Sequence, residues 1–183
     1  MTTPAHATPA TLQTQLASGS LAGTWILDPA RSTATLRSKS LWGLAPVKGV
    51  FRELEGGGIV SPEGGVTGRV ELATGALDTK NSKRDTHLRS DDFFLTEKYP
   101  AITFTVDSLA PAGDGVTVSG QLTVRERSQP ISFPAAVTVA GDDELVFDAT
   151  VHVDRSDFGL TWNQLGMASM KNTIAIHAVL ARS

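Results

Sequence analysis

The sequence predicts an all-β protein, an eight-stranded antiparallel up-and-down β-barrel with one or two short helices. Two observations lead to this prediction. Apolar and polar residues alternate along several segments, as expected for strands that bury one face. Turns rich in Gly, Pro and Asp separate these segments at short intervals, which indicates hairpins between neighbouring strands. The spacing suits a barrel or a sandwich, and we favour the barrel because closure removes exposed sheet edges.

The alternation is clearest in five segments. An eight-stranded barrel is wide enough to be packed solid or to hold one elongated ligand, so the inward residues matter for function. The predicted apolar positions are Val66, Gly68 and Val70; Ile102, Phe104 and Val106; Val116, Val118, Gly120, Leu122 and Val124; Leu145, Phe147, Ala149, Val151 and Val153; and Ile174, Ile176, Ala178 and Leu180.

Helical residues are expected in only a few places. Leu12 and Leu16 have helical spacing, so we interpret residues 1–20 as a flexible N-terminal segment that includes at most a short helix. Residues 21–183 then form one barrel domain, with a second helix within 81–98 and further helical turns around 155–170. The run from Gly56 to Gly58 lacks the Lys-Ser/Thr ending of a phosphate loop, and we predict a hairpin turn there.

Composition excludes several classes of function. The formal net charge of the 183 residues is -3, so nothing indicates a nucleic-acid partner. The chain has no cysteine, which excludes disulfides and thiolate metal sites. No apolar run approaches the ~20 residues needed to span a bilayer, so we expect no stable membrane insertion. The first 20 residues lack a basic start and an apolar stretch, and we therefore expect a cytoplasmic location.

The densest run of charge lies at residues 84–94. It places Arg84, Asp85 and His87 close together, followed by Phe93 and Phe94. Three interpretations are open: catalysis with Asp85 orienting His87, ion pairs that cap a short helix, or contact with a ligand headgroup. The four histidines of the chain are not spaced as a metal-binding pair, so we expect no metal site and no cofactor.

Several motifs occur together in a fixed order along the chain. They are GTWILD (23–28), VKGVF (47–51), RDTHL (84–88), DFF (92–94), YPAITF (99–104), GQLTV (120–124) and DRSDFG (154–159). Through these motifs the chain resembles the YceI-like family of lipocalin-like proteins, also described as polyisoprenoid-binding. The resemblance implies a barrel whose apolar lumen holds a long isoprenoid or other lipid tail. Arg31 and Lys39 stand where the family often has histidine, and both keep a positive charge.

The function predicted from this resemblance is binding, storage or transport of a long-chain isoprenoid, quinone-like or other lipid, without catalysis. Two alternatives remain: an enzyme acting on a hydrophobic substrate through His87 and Asp85, and a ligand-free, stress-related barrel. The residues predicted to bind the ligand are Trp42, Phe51, Arg84, His87, Phe93, Phe94, Phe104, Phe147, Phe158, Trp162, Leu165 and Met167. The residues predicted as contacts for the headgroup are Arg31, Arg37, Lys39, Arg84 and His87.

Two further hypotheses concern the loops. The apolar segments 41–47 and 160–170 are predicted to touch the ligand, to pack against the helix of 84–94, or to form a homodimer contact. Arg155 is predicted to pair with Asp85 and so to hold that helix on the barrel, because the two charges are opposite and both belong to the family pattern.

Overall fold

The computed structural model describes residues 9–183, and within this range it has eleven β-strands, two α-helices and three short 3-10 turns. No helix in this range is long and apolar enough to cross a membrane. The helices are α1 (Pro9–Ala17) and α2 (Ser82–Leu88), and the 3-10 turns are Thr74–Ala76, Arg155–Phe158 and Gln164–Gly166. The strands are β1 (Gly23–Leu27), β2 (Thr33–Ser40), β3 (Ala45–Phe51), β4 (Leu54–Val60), β5 (Val66–Ala73), β6 (Leu77–Asp78), β7 (Ala101–Ala112), β8 (Gly115–Val124), β9 (Arg127–Ala140), β10 (Glu144–Asp154) and β11 (Lys171–Arg182).

The strands form one closed antiparallel barrel. Pairing runs from β4 through β5, β7, β8, β9 and β10 to β11, and β1 closes the ring by pairing with both β11 and β4. β1 and β2 pair with successive parts of β11, so they act as one interrupted strand. β3 and β4 also act as one interrupted strand, because β3 pairs with β2 and β4 pairs with β1. β5 and β6 form a third, because β5 pairs with β4 and β6 pairs with β3. Counted in this way, the barrel has eight lengths of strand, which confirms the predicted architecture.

A side chain bridges the interruption between β1 and β2. The hydroxyl oxygen of Ser32 accepts a hydrogen bond of 3.0 Å from the backbone N–H of Val179. The backbone N–H of Asp28 donates to the Val179 carbonyl over 2.8 Å. Val179 therefore keeps both backbone partners on this side although no residue of β1 or β2 lies opposite it, which satisfies the requirement for buried polar groups.

The prediction of which strand residues face the barrel interior is confirmed. From Val116 to Val124, every second residue of β8 is buried. The prediction of a turn at Gly56–Gly58 is wrong, because these glycines lie inside β4 and pair with β5. A Cβ atom on Gly57 would lie 2.4 Å from the Trp25 carbonyl oxygen, so the run permits a close approach of neighbouring strands.

Helix α1 packs across one end of the barrel, which we call the closed end. The short helix predicted around Leu12 and Leu16 is present, and both leucines are buried against Trp25 and the ends of the strands. The indole N–H of Trp25 donates to the Leu21 carbonyl over 2.9 Å and fixes the segment that follows the helix. The prediction of flexibility for residues 1–8 lies outside the described residues.

The opposite end of the barrel carries α2, the β2–β3 hairpin and the segment between β10 and β11; we call it the open end. Helix α2 begins after Asn81, whose side-chain oxygen accepts a hydrogen bond of 3.0 Å from the Arg84 backbone N–H. The positions of these three segments decide which side chains surround the lumen at this end.

Candidate ligand-binding cavity

The barrel is hollow beneath its open end. A cavity of about 520 Å³ lies there, and a second of about 180 Å³ lies deeper in the lumen. The two cavities share the side chains of Ile102, Leu122 and Ile174 as walls. The larger volume falls within the range of roughly 300–1,000 Å³ that is common for ligand pockets.

The polarity of the walls changes along the lumen. In the deeper cavity, Thr67 is the single polar side chain among the described lining residues, and all others are apolar or glycine. Polar groups surround the outer cavity at the open end. They include Lys39, Thr79, Asn81, Lys83, Arg84, His87, Gln164 and Asn172. Such a gradient suits an amphiphilic ligand with its apolar part directed inward.

Thr79 connects α2 to the barrel. The Arg84 guanidinium donates from Nε to the Thr79 hydroxyl oxygen over 2.8 Å and from Nη2 to the Thr79 carbonyl over 3.0 Å. The buried Asp85 carboxylate accepts from the Thr79 backbone N–H over 3.0 Å and from its hydroxyl over 2.5 Å. The predicted ion pairs of Arg84 and Asp85 are wrong, because both side chains are engaged with Thr79 and neither forms a salt bridge among residues 9–183.

His87 lies at the edge of the outer cavity within an aromatic group. Its Nε2 atom is 2.7 Å from Oδ2 of Asp92, and its ring contacts Trp162 and Phe93 edge-on, with centroid distances of 4.4 and 5.2 Å. The predicted pairing of His87 with Asp85 is therefore wrong, since Asp92 is the carboxylate that faces the imidazole. The Ser90 hydroxyl donates to the His87 backbone carbonyl, so it does not face the ring as a nucleophile would.

Arg155 is buried and holds the segment between β10 and β11 over the cavity. Its guanidinium donates to the backbone carbonyls of Leu160, Trp162, Ser169 and Ala168. Burial lowers the pKa of this guanidinium, and the nearby Asp154 carboxylate opposes part of that effect. The predicted pair between Arg155 and Asp85 is wrong, because four carbonyl oxygens take the place of the carboxylate.

A family model described as the YceI-like domain matches residues 25–181. The chain belongs to the YceI-like family. Protein YceI of Escherichia coli O157:H7 is 30% identical over 141 residues, which are 73% of each chain. Protein YceI of Salmonella arizonae is 33% identical over 112 residues, which are 58% of each chain.

Solved structures show the same fold. BcnA of Burkholderia cenocepacia has a TM-score of 0.75 at 22% identity, over 84% of this chain and 98% of that one. A polyisoprenoid-binding domain from Saccharophagus degradans, implicated in plant cell wall breakdown, has a TM-score of 0.71 at 17% identity, over 87% and 98%. The YceI protein of Campylobacter jejuni has a TM-score of 0.65 at 24% identity, over 74% and 85%.

Most residues predicted to bind the ligand lie around this YceI-like lumen. Trp42 and Leu165 lie outside both cavities, with 66% and 78% of their surfaces exposed. Phe104 and Phe147 line the deeper cavity. Ligand contact by any of these residues stays a prediction. The predicted residues that line the outer cavity are Phe51, Arg84, His87, Phe93, Phe94, Phe158, Trp162 and Met167.

The candidates for the headgroup separate into two groups. Lys39, Arg84 and His87 line the outer cavity at the open end. Arg31 forms an ion pair of 2.6 Å with Glu144 away from both cavities, and Glu144 raises the pKa of its guanidinium. Arg37 is exposed on the outer face of the barrel. The structure thus leaves three of the five candidates beside the lumen.

Most aliphatic residues of the cavity wall were not among the residues predicted from the sequence to bind the ligand. Alternation had placed several of these residues inside the barrel, but the predicted ligand set was restricted to charged and large residues. The polar lining residue Thr79 gave no signal in the sequence, because its position depends on the packing of α2. The aliphatic residues of the outer cavity that lie outside the predicted ligand set and outside segments 41–47 and 160–170 are Leu36, Leu88, Ile102, Leu122, Val124, Val153 and Ile174.

Two further histidines of the YceI-like barrel, His152 and His177, lie on its outer wall. His177 Nδ1 is 2.7 Å from Oδ1 of Asp148, and His152 Nδ1 is 3.2 Å from the Thr173 hydroxyl. Within residues 9–183, no group of three or more His, Asp or Glu side chains is placed to hold a metal ion.

Proposed function

We propose that the protein binds the long apolar chain of an isoprenoid, quinone-like or other lipid in its lumen, with the polar end of that lipid at the open end. One observation carries the proposal: the lumen is hollow, its deeper part has one polar side chain among the described lining residues, and polar side chains are concentrated at the open end. The polyisoprenoid-binding domain of Saccharophagus degradans, which shares the fold, supports the choice of ligand class.

Burial of the tail supplies the affinity in this proposal. Each methylene group removed from water contributes about 0.8 kcal/mol, so a dozen of them contribute roughly 10 kcal/mol before the costs of association. Few specific polar contacts are then needed. This matches a cavity whose deeper part offers one polar side chain, Thr67, among its described lining residues.

The open end favours a polar or anionic headgroup. Lys39, Lys83 and Arg84 bring positive charge to the outer cavity, and His87 adds a ring nitrogen that exchanges a hydrogen bond with Asp92. Cationic side chains bind phosphate or carboxylate oxygens through charge-assisted hydrogen bonds. We extend the proposal to storage or transport of such a lipid, with a cytoplasmic location as predicted from the sequence.

The test begins with the full-length protein as purified. Organic extraction followed by mass spectrometry is expected to release a long-chain lipid, and a fluorescent long-chain probe is expected to bind and to be displaced by added isoprenoid. If no lipid is extracted and no long-chain probe binds, the proposal is wrong.

A variant at the junction of the two cavities sharpens this test. Ile102→Trp adds bulk where the outer and deeper cavities meet, so binding of long chains is expected to weaken while short chains still fit the outer cavity. Ile59→Trp makes the same change at an exposed position of β4 and serves as the matched control. Equal effects of the two variants on long-chain binding would contradict the assignment of the lumen.

Catalysis is a second candidate because His87 and Asp92 form a hydrogen-bonded pair at the edge of the cavity. An enzyme would convert an added hydrophobic substrate, and His87→Ala would abolish that conversion while retaining lipid binding. A binding protein would leave the extracted lipid chemically unchanged on prolonged incubation, whether or not His87 is present. A barrel that stays without ligand under all these conditions would instead favour a role for its surface.

A further inference from the structure

A group of large apolar side chains is exposed beside the cavity at the open end. Leu41, Trp42 and Leu44 form the tip of the β2–β3 hairpin, and Leu165 lies in the facing segment between β10 and β11. Leu44 is 84% exposed, and the other three are at least about half exposed. We call these four residues the apolar tip. Grouped exposed apolar side chains of this kind mark protein or membrane interaction sites.

The two loops that form the apolar tip are joined to each other. The indole N–H of Trp42 donates to the Leu165 carbonyl over 3.2 Å, and the Trp42 backbone N–H donates to the Met167 carbonyl over 3.2 Å. The Ser169 backbone N–H donates to the Lys39 carbonyl over 2.9 Å. These bonds hold the tip as one platform, so its exposure does not result from a loose loop.

The backbone of the apolar tip is strained. Leu41, Trp42 and Leu165 have φ values of 50°, 54° and 53°, in the left-handed region that bulky side chains rarely adopt. The fold therefore keeps three large apolar side chains in an unfavourable backbone conformation and in water at once. Strain of this kind persists at positions that serve a function.

The hairpin that carries three residues of the apolar tip has charges of one sign. Between Asp28 and Glu53 the chain has no acidic residue, and none follows Asp157. Three exposed cations of the hairpin, Arg37, Lys39 and Lys48, form no salt bridge among residues 9–183. Apolar side chains at the tip of a cationic hairpin fit the interface of a bilayer that contains anionic lipid, where Trp is also favoured.

We propose that the apolar tip docks on the surface of an anionic lipid bilayer and brings the open end of the barrel against it. Leu44, Trp42 and Leu165 enter the interfacial region, and Lys39 and Lys48 lie against the lipid headgroups. Docking of this type is reversible surface binding and does not require a segment that spans the membrane. Membrane docking is a separate property from ligand binding in the lumen, because vesicle binding can be measured whether or not the lumen is occupied.

Co-sedimentation of the full-length protein with vesicles tests the proposal. Vesicles of phosphatidylcholine mixed with phosphatidylglycerol are expected to bind the protein, and vesicles of phosphatidylcholine alone to bind it more weakly. The double variant Trp42→Ser/Leu44→Ser is expected to lower the partition coefficient at least about tenfold, which corresponds to the loss of one large buried apolar side chain. Both residues are exposed, so far-UV circular dichroism and the urea midpoint are expected to show an intact fold.

Matched variants separate the tip from the rest of the surface. Ile59→Ser removes an apolar side chain that is 56% exposed on β4 and is expected to leave the partition coefficient unchanged. Lys39→Gln/Lys48→Gln is expected to weaken binding roughly 25-fold on the anionic vesicles alone, since each of the two cations near the surface contributes about a fivefold effect. Arg69→Gln, on the outer wall of β5, is expected to have no effect.

Three outcomes would overturn the proposal. The first is no binding of the wild type to anionic vesicles. The second is an equal loss of binding in Ile59→Ser. The third is a dimer in analytical ultracentrifugation that becomes a monomer in Trp42→Ser/Leu44→Ser without any vesicle binding, which would assign the apolar tip to a second copy of the chain.

Discussion

Replacement of Arg155 by Met tests whether this buried cation holds the segment between β10 and β11 over the cavity. The guanidinium donates four hydrogen bonds to the carbonyls of Leu160, Trp162, Ala168 and Ser169, and Met keeps most of its volume. A hydrogen bond to a charged group is worth about 1.5–3 kcal/mol, but the four are not additive and the freed carbonyls lie near the open end. We therefore expect the free energy of unfolding to fall by about 3 kcal/mol.

Urea denaturation and calorimetry measure this change. For a chain of this size, about 3 kcal/mol lowers the Tm by roughly 6–12 °C. Arg69→Met is the control, because Arg69 pairs with Glu71 on the exposed wall, where such pairs contribute about 0–1 kcal/mol. Arg155→Lys is expected to recover less than half of the loss, since an ammonium group cannot reach four separated carbonyls as a planar fork does.

Hydrogen exchange tests whether the hydrogen bonds of Arg155 hold the segment between β10 and β11. Loss of the guanidinium is expected to speed exchange of the Met167 and Ser169 amides, whose carbonyl acceptors lie in the covering segment and in β2. If Arg155→Met unfolds within about 1 kcal/mol of the wild type and these amides stay protected, the four bonds do not hold the segment.

Three further predictions address other parts of the barrel. The Asp78 carboxylate accepts hydrogen bonds from the Lys80 backbone N–H and from Arg52, which hold its pKa well below the ordinary 3.8. Since the folded pKa is the lower one, the stabilisation is present above about pH 4 and is lost as the pH falls through the folded value. The Tm difference between wild type and Asp78→Asn should therefore shrink below about pH 4, and a constant difference would contradict this assignment. Leu12→Ala should lower the free energy of unfolding by about 2–3 kcal/mol, because Leu12 is buried at the closed end; a urea midpoint shift worth under about 1 kcal/mol would refute that role. Asp85→Asn should cost about 1–2 kcal/mol in the same assay, since an amide nitrogen replaces one acceptor facing Thr79, and an unchanged midpoint would show that these bonds are dispensable.

The barrel was predictable from the sequence because strand pairing with one buried face leaves a local pattern. In β8 every second residue from Val116 to Val124 is buried, as the alternation predicts. The interruption between β1 and β2 leaves no such pattern. It depends on Ser32 contacting Val179, a residue 147 positions away, and contacts of that kind follow from closure of the barrel.

Charge was a poor guide to the contacts at the open end. Opposite charges suggested a pair between Arg155 and Asp85, but the actual acceptors are backbone carbonyls, which every residue carries and no sequence pattern marks. The partner of His87 is Asp92, five positions along the chain, and the turn that brings it back depends on how the segment after α2 packs. The general location of the site was predictable, whereas the pairing of its side chains was not.

The helix across the closed end has a kinetic consequence for any lipid held in the lumen. With Leu12 and Leu16 sealing that end, a tail leaves only by sliding back through the opening by which it came in. Each methylene drawn into water raises the barrier by about 0.8 kcal/mol, so each one slows spontaneous release about fourfold. Long chains would then leave quickly only where the opening faces another apolar phase, and the protein would act as a slow store in water and a fast donor at a membrane.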